Sequence, residues 1–311
     1  METVYLDIHS VPERREACAV CVGYFDGLHR GHMQLVDKAI EEAQRLGCRS
    51  ALFTFDPDPM VTLSGNTDTA HITPLPMKLE LISKTSIDIV YILSFTLETA
   101  AMSHEDFSRF FLACIDARSV ICGFDYRYGY RGLGNPHTLM EEMPCSVRII
   151  DSVDEQGEKI SSTRIISCIE KGNLTEASLL LGRHYCIQGQ VVHGRGKGHL
   201  HGFPTANIKT DPEYVKPLPG VYGGWITVGG KRWKTMVNVG HNPTYNYRYD
   251  LSIEAYILDF NQDIYGQDVL LEFAVYLRPE QKFSSVEELS AQLIYDRERV
   301  RKELQCTQNP S

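Results

Sequence analysis

Two histidines stand three residues apart in the stretch GYFDGLHRGH, residues 23–32. The run ahead of them, residues 17–25, is continuously apolar and reads as a strand buried on both faces. Asp26-Gly27 reads as a turn. His29 and His32 then fall at or near the start of a helix, on one side of its first turn. A helix N-terminus presents unpaired N–H groups and the positive end of the dipole. Gly27 and Gly31 remove side chains where a phosphate would approach the backbone. Two imidazoles there can donate hydrogen bonds to a pentavalent phosphorus centre. The pattern points to phosphate chemistry. A metal pair or two surface histidines are the plainer alternatives; a zinc site would want further ligands, and Asp26 is the near candidate.

A second segment, ISSTRI at residues 160–165, opens a helix. Ser161 can cap it, and Ser162, Thr163 and Arg164 offer hydroxyls and a guanidinium to a triphosphate. Alone this is ordinary capping. The familiar nucleotide loops are missing: no GxxxxGK[ST] occurs, and no GxGxxG follows a strand and opens a helix. GRGKG at residues 194–198 is glycine-rich but lacks the Walker Ser/Thr. Further on, Glu254 sits in the alternating stretch SIEAYIL, where a carboxylate ordinarily faces solvent. In PTAN, residues 204–207, Thr205 and Asn207 supply neutral oxygens of the kind magnesium accepts, although PTAN is also turn-like. Cys18 and Cys21 form a lone CxxC inside the first apolar run. On a strand, residues three apart face opposite sides, so they read as small buried hydrophobes rather than as a redox or metal pair.

The elements that must position these groups fall into two textures. Strand-like runs at residues 17–25, 50–55, 87–95 and 119–123 alternate with helical patterns at 33–46, 76–83 and 104–113, with Gly47 where a C-cap belongs. This order predicts a doubly wound parallel sheet. Near residue 185 the texture changes to short strands broken by Gly, Pro and Asn, at 188–192, 220–228, 234–238, 253–257 and 270–276. These predict an antiparallel barrel. A helix over 286–304 closes the chain, with Leu289, Leu293, Asp296 and Val300 on one face. A helical pair, 161–171 and 175–181, ends at Gly182 and leads into the second texture. The division expected is residues 1–184 and 185–311.

The composition agrees. A chain of 311 residues with 43% hydrophobic and 23% charged residues fits about two globular domains, not a disordered or fibrous chain. Forty acidic against 31 basic residues give a net charge of -9, which argues against a dedicated nucleic-acid binder. It leaves room for small anions at local positive sites. No apolar run reaches the length of about 18 residues that a membrane helix needs, and METVYLDIHS does not read as a secretory signal. Nine scattered cysteines, an odd number, fit reduced thiols in a cytoplasmic protein. No membrane or nucleic-acid partner is expected.

Four segments of the first part, GYFDGLHRGH, FTFDPDP (53–59), GFDYRYG (123–129) and ISSTRI, resemble the nucleotidyltransferase half of the prokaryotic bifunctional riboflavin kinase/FMN adenylyltransferase (FAD synthetase) family. GFPTAN (202–207), PGVYGG (219–224), VGHNPTY (239–245), IEAYILDFNQDIYG (253–266) and LRPEQKF (277–283) resemble its riboflavin kinase half, in order. The resemblance covers almost the whole chain. It implies a Rossmann-like α/β nucleotidyltransferase domain followed by an antiparallel β-barrel kinase domain with a terminal helix. It implies that riboflavin and ATP give FMN, and that FMN and a second ATP give FAD and pyrophosphate, with magnesium as the metal. By resemblance, His29, His32 and Arg164 serve adenylyl transfer and Glu254 is the kinase base. Gly23, Phe25, Asp26, Gly27, Gly31, Ser161, Ser162, Thr163, Gly198 and Pro204 are implied at ATP phosphates. Asp56, Asp125, Tyr126, Asn242 and Arg278 are implied at flavin, and Thr205 and Asn207 at the metal. The partners implied are riboflavin, FMN and ATP, and the chain is expected to be a monomer or weak homo-oligomer.

Three positions depart from the family pattern. Ile166 stands where an arginine is usual, Asp58 where a histidine is common, and His199 where an arginine precedes GFPTAN. Arginine and histidine are not equivalent phosphate partners. Two rival readings follow: a riboflavin kinase with a degenerate first domain, and a non-catalytic flavin or nucleotide sensor. The retained His29, His32 and Glu254 speak against the sensor.

Overall fold

The computed structural model describes residues 1–12, 15–66, 68–193, 203–211, 213–241 and 251–306. The chain divides into two compact units: Met1–Thr69 with Thr73–Ser161, and Ala70–Ile72 with Ser162–Ser311.

The first unit is built on six strands: β1 (Glu2–Leu6), β2 (Ala17–Val22), β3 (Arg49–Asp56), β4 (Ile89–Ser94), β5 (Asp116–Gly123) and β6 (Ser146–Ile150). Every neighbouring pair is parallel, in the order β1-β4-β3-β2-β5-β6. Its helices are α1 (Arg30–Leu46), α2 (Pro59–Ser64), α3 (Leu75–Ser83), α4 (Leu97–Ala101), α5 (His104–Cys114) and α6 (Pro136–Glu142). A short ribbon, β7 (Asp154–Glu155) with β8 (Glu158–Lys159), follows.

The apolar run at β2 is buried because both sheet faces are covered. Cys18, Val20 and Val22 pack with Phe107, Phe110 and Phe111 of α5 on one face. Ala19 and Cys21 pack with Leu35, Val36 and Ala39 of α1 on the other. The doubly wound sheet expected from the sequence is borne out, and α1 ends at Gly47 in a left-handed conformation, with φ 65°. The edge strands β1 and β6 were not anticipated; edge positions demand less continuous apolarity.

From β2 the chain proceeds outward through β3 to β4, while β5 and β6 lie on the other side. The winding reverses between β2 and β5. In such sheets the ligand crevice forms outside the carboxyl ends of the strands flanking that reversal. The segments beginning at Gly23 and Phe124 emerge there.

The second unit opens with α7 (Ser162–Glu170) and α8 (Leu174–Leu181). Six strands follow: β9 (Tyr185–Val192), β10 (Ala206–Thr210), β11 (Gly220–Val228), β12 (Lys231–His241), β13 (Leu251–Ile257) and β14 (Asp268–Arg278). They close an antiparallel barrel in the order β10-β13-β12-β11-β14-β9, with β10 paired back to β9. The terminal helix α9 (Val286–Cys306) seats Val300 and Leu304 among Val221, Trp225, Met236 and Leu277. Barrel and terminal helix are as expected. The strand β10 was not foreseen, because PTAN at its start reads as a turn.

Candidate functional sites

At the reversal point, the turn after β2 is held by contacts far apart in sequence. Asp26 is buried, and its Oδ1 accepts from the Thr73 N–H at 2.9 Å and from the Thr73 hydroxyl at 3.3 Å. The same hydroxyl accepts from the Gly27 N–H at 2.8 Å. Asp26 therefore shapes the turn. Lys78 on α3, almost fully buried, donates to the Tyr24 carbonyl at 2.6 Å and lies 3.9 Å from the Tyr24 ring centroid. Burial lowers its ammonium to about 8, against the opposing pull of Asp26, Asp58 and Asp56. Gly27 has φ 82°, a conformation that glycine adopts without strain.

His29 is the N-cap of α1, and its Nδ1 accepts from the His32 N–H at 3.2 Å. A neutral His29 then carries its proton on Nε2, which makes that nitrogen a donor. The His29 and His32 rings stack with centroids 3.6 Å apart, and Phe25 meets His32 edge-on at 5.3 Å. Gly31 suits this stack: a Cβ there would lie 3.2 Å from His29 Nδ1 and Cε1, close enough that the ring would have to give way slightly. Two imidazoles and a helix N-terminus thus form one preorganised group beside the reversal point, fit to take up charge on a phosphate.

The segment after β5 is braced separately. Glu142 on α6 accepts from the Tyr128 hydroxyl at 2.7 Å and also bonds Ser108 and His104 of α5. Tyr126 stacks on Tyr128. Asp125 is exposed and pairs with Lys159.

In the second unit, Arg164 is held by Glu176 of α8, with Nε and Nη2 donating to Oε1 at 3.0 and 2.7 Å. Asn173 Nδ2 donates to the other carboxylate oxygen at 2.8 Å. Ser161 lies just before α7, whose first residues are Ser162, Thr163 and Arg164.

Two cavities flank β13. One, about 420 Å³, is lined by Glu254, Tyr256, Asn238, Arg278 and the α9 residues Leu289 and Leu293. The other, about 470 Å³, is lined by Ala255, Ile257, Pro204, Ala206 and residues 260–265. The two-residue alternation of the strand sorts its side chains between them. Thr205 lines both cavities, and its hydroxyl donates to Glu254 Oε2 at 3.4 Å. Asn207 stands opposite Glu254 in the β10–β13 register. Glu254 is half-buried and lines the smaller cavity, not a fully exposed strand face.

Comparison with known proteins matches the two parts of the chain to two family models. The family model for FAD synthetase matches residues 11–164, and that for riboflavin kinase matches residues 181–304. A bifunctional riboflavin kinase/FMN adenylyltransferase of Listeria monocytogenes is 38% identical over 91% of each chain. Its namesake from Bacillus subtilis is 32% identical over 96% of each. The chain belongs to the bifunctional riboflavin kinase/FMN adenylyltransferase family. A solved structure from Streptococcus pneumoniae, described as a macrolide-efflux protein, superposes with a TM-score of 0.89 at 30% identity, over 97% of this chain and 99% of that one. That efflux description belongs to the other protein. Among the described residues here, no helix is long and apolar enough to cross a membrane.

Within the family frame, most of the residues singled out in the sequence have definite places. Gly23, Phe25, Asp26, Gly27, His29, Gly31 and His32 are gathered on the β2–α1 connection. Asp56 ends β3 and is exposed. Asp58, the departure in FxPxP, caps α2 by accepting from the Met60 N–H at 2.7 Å. Ile166 is half-buried on α7. Gly198, His199 and Asn242 lie outside the described residues. Thr73, Lys78, Glu176 and Asp296 were missed as supports, for no local motif marks a side chain whose partner is distant in sequence. The segment 260–265, quoted as part of the stretch that resembles the kinase half but given no individual roles, walls the larger cavity.

The CxxC reading as packing agrees with the structure. Cys18 and Cys21 are fully buried in opposite clusters. Burial pushes the Cys18 thiol up to about 12 and raises Cys21 as well. The eight described cysteines assigned a state are free. Among the described residues, no group of three or more His, Cys, Asp or Glu could hold a metal.

Proposed function

We propose that riboflavin phosphorylation takes place across the two barrel cavities, and that FMN adenylylation takes place at the β2–β5 reversal. The two reactions are riboflavin plus ATP to FMN and ADP, then FMN plus ATP to FAD and pyrophosphate. The observation that carries the kinase reading is Thr205 lining both cavities beside Glu254. The smaller cavity, with its apolar wall from α9, takes the flavin, and the larger one takes the nucleotide.

The two steps need different chemistry. The riboflavin 5′-hydroxyl is neutral, so it benefits from a base that takes its proton as it attacks the γ-phosphoryl group. Glu254 is that base. The FMN phosphate is already an anion and needs none. It must be aligned with the ATP α-phosphate while charge builds on the departing pyrophosphate. His29 Nε2–H, His32 and the α1 N-terminus take up that charge. Arg164, fixed by Glu176, and the hydroxyls of Ser162 and Thr163 are donors of the kind that ATP phosphates accept. Asp26 shapes the loop, and Asp125 and Tyr126 belong to the flavin side.

Thr205 and Asn207 present hydroxyl and amide oxygens next to Glu254, a donor set that fits magnesium accompanied by phosphate and water oxygens. Bound there, the ion would neutralise charge on the ATP phosphates. The functional division we place at residues 184 and 185, close to where the riboflavin kinase match begins at residue 181. We place the chain in the cytoplasm as a monomer or weak homo-oligomer; its free cysteines are in keeping with a reducing compartment.

Purified protein incubated with riboflavin and magnesium-ATP, with flavins resolved by chromatography, tests the reading. FMN appearing first and FAD after it is the expected course. FMN without FAD would leave a kinase alone, and no product would leave a sensor.

A further inference from the structure

Arg278 ends β14 in the wall of the smaller barrel cavity, which Glu254 also lines. Its guanidinium has an unusually complete set of holders. Nε donates to Asp296 Oδ2 at 2.8 Å, and Nη2 lies 2.8 Å from the same oxygen in the ion pair. Nη1 donates to the Pro279 carbonyl at 3.1 Å. Asp296 is itself held, its Oδ1 accepting from Gln292 Nε2 at 2.8 Å. The Asp296 side chain is 0% exposed and the Arg278 side chain 14%. An arginine carries five N–H donors. Nε and one Nη1 hydrogen are engaged and Nη2 is held in the ion pair, so about two N–H groups remain for an occupant of the cavity.

The placement of Asp296 calls for an explanation other than stability. A buried ion pair contributes little to stability, because desolvating both charges offsets most of their attraction. Nor does α9 depend on it for docking. Val300 and Leu304 already pack into the cluster beneath α9, and Arg299 donates to the Leu277 carbonyl at 3.1 Å. A buried carboxylate in a forked contact does fix one orientation of a planar guanidinium. The helix that carries it also lines the cavity through Leu289 and Leu293, on the same face at four- and three-residue spacings.

We propose that Asp296 is a positioning residue for riboflavin phosphorylation, a buried carboxylate that locks the Arg278 guanidinium into the wall of the flavin cavity. The inference rests on the reading of that cavity as the riboflavin site. The two remaining Arg278 N–H groups meet acceptor atoms of the flavin. Asp296 touches no substrate and acts through Arg278, while Glu254 handles the proton. The helix α9 is thereby part of the substrate site as well as a cover for the barrel.

The test uses the full chain and reads steady-state FMN formation at varied riboflavin. Asp296→Asn keeps the side-chain shape and removes the charge. It is expected to raise the riboflavin KM about tenfold while kcat changes less than about threefold. Gln292→Ala, which buries no new charge, should shift KM in the same direction by a smaller factor. Arg278→Lys should raise KM as well, and Asp296→Asn added to it should cause no further rise, because the clamp has nothing left to hold. FMN-to-FAD conversion, measured on the same preparations, should stay at the wild-type rate, and the retained kcat for FMN formation reports that the barrel of each variant folds. An unchanged riboflavin KM in Asp296→Asn would overturn the proposal. So would a double variant whose KM rise is the product of the two single ones. Leu293→Trp, which fills the cavity, separates the two levels. If riboflavin binding followed by flavin fluorescence survives it, the cavity is not the flavin site and the proposal falls with that reading. If it is lost while Asp296→Asn binds normally, the cavity stands and the clamp alone is wrong.

Discussion

Thr205 Oγ1 stands 3.4 Å from Glu254 Oε2, and Thr205 is shared by the cavity that Glu254 lines and the cavity on the other side of β13. A phosphoryl group must pass from a donor to an acceptor within reach of a base. A residue common to both cavities marks where that transfer can occur.

Glu254→Gln keeps the side-chain volume and its contact with Thr205 but removes the proposed base. FMN formation should fall by about 10²–10⁴-fold. Riboflavin binding should persist, and conversion of supplied FMN to FAD should proceed at the wild-type rate. Chromatographic rates with riboflavin or FMN as the starting flavin check all three.

His29 has two roles that substitution can separate. His29→Ala removes both the cap on α1 and the donor at the proposed phosphate site. It should stop FAD formation and cost about 1 kcal/mol in thermal unfolding. His29→Asn restores a capping acceptor, so stability should return while FAD formation does not. FMN formation from riboflavin should be unaffected in both variants.

Glu176→Gln weakens the hold on Arg164. Charge-assisted hydrogen bonds of this kind contribute about 1.5–3 kcal/mol, so the unfolding transition of the helical pair α7–α8 should move down accordingly. With Arg164 less fixed, the ATP KM for FAD formation should rise while that for FMN formation stays put.

Lys78 gives a pH signature. Its folded pKa, about 8, lies below the ordinary 10.5 because burial disfavours the ammonium. Between those values the unfolded chain binds more protons than the folded one, so stability should rise with pH through this window. Against Lys78→Met as the reference, wild type should gain about 2 kcal/mol between pH 7.5 and 9.5. Denaturant unfolding of both proteins at the two pH values measures the difference. A flat or falling difference would contradict a buried, pKa-depressed lysine.

Legibility differed between elements for physical reasons. The strand β2 could be read because a strand covered on both faces must be apolar throughout, and α1 because its apolar side repeats with the helical turn and ends at Gly47. The strand β11 was anticipated with its observed bounds, Gly220–Val228. The start of β10 was hidden, since Pro-Thr-Ala-Asn carries the local chemistry of a turn and pairing with β9 and β13 overrides it. The His-x-Gly-His pattern located the first site. The stacking of His29 on His32 and the grip of Thr73 on Asp26 did not follow from it. For Asp296, the helical period placed it on one face with Leu289, Leu293 and Val300, but its partner Arg278 is set by how α9 lies on β14.

By itself the sequence determined the two architectures, the order of the elements and the residue types available at each site. Those follow from local periodicity, turn chemistry and motif spacing, which short stretches of chain carry within themselves. Tertiary structure alone decided that Glu254 lines a cavity, that Thr205 is shared by two cavities, that Glu176 holds Arg164 and that Asp296 holds Arg278. Alternation says that neighbouring side chains on a strand point opposite ways. Only closure of the barrel and the seating of a helix against it say what each of them meets.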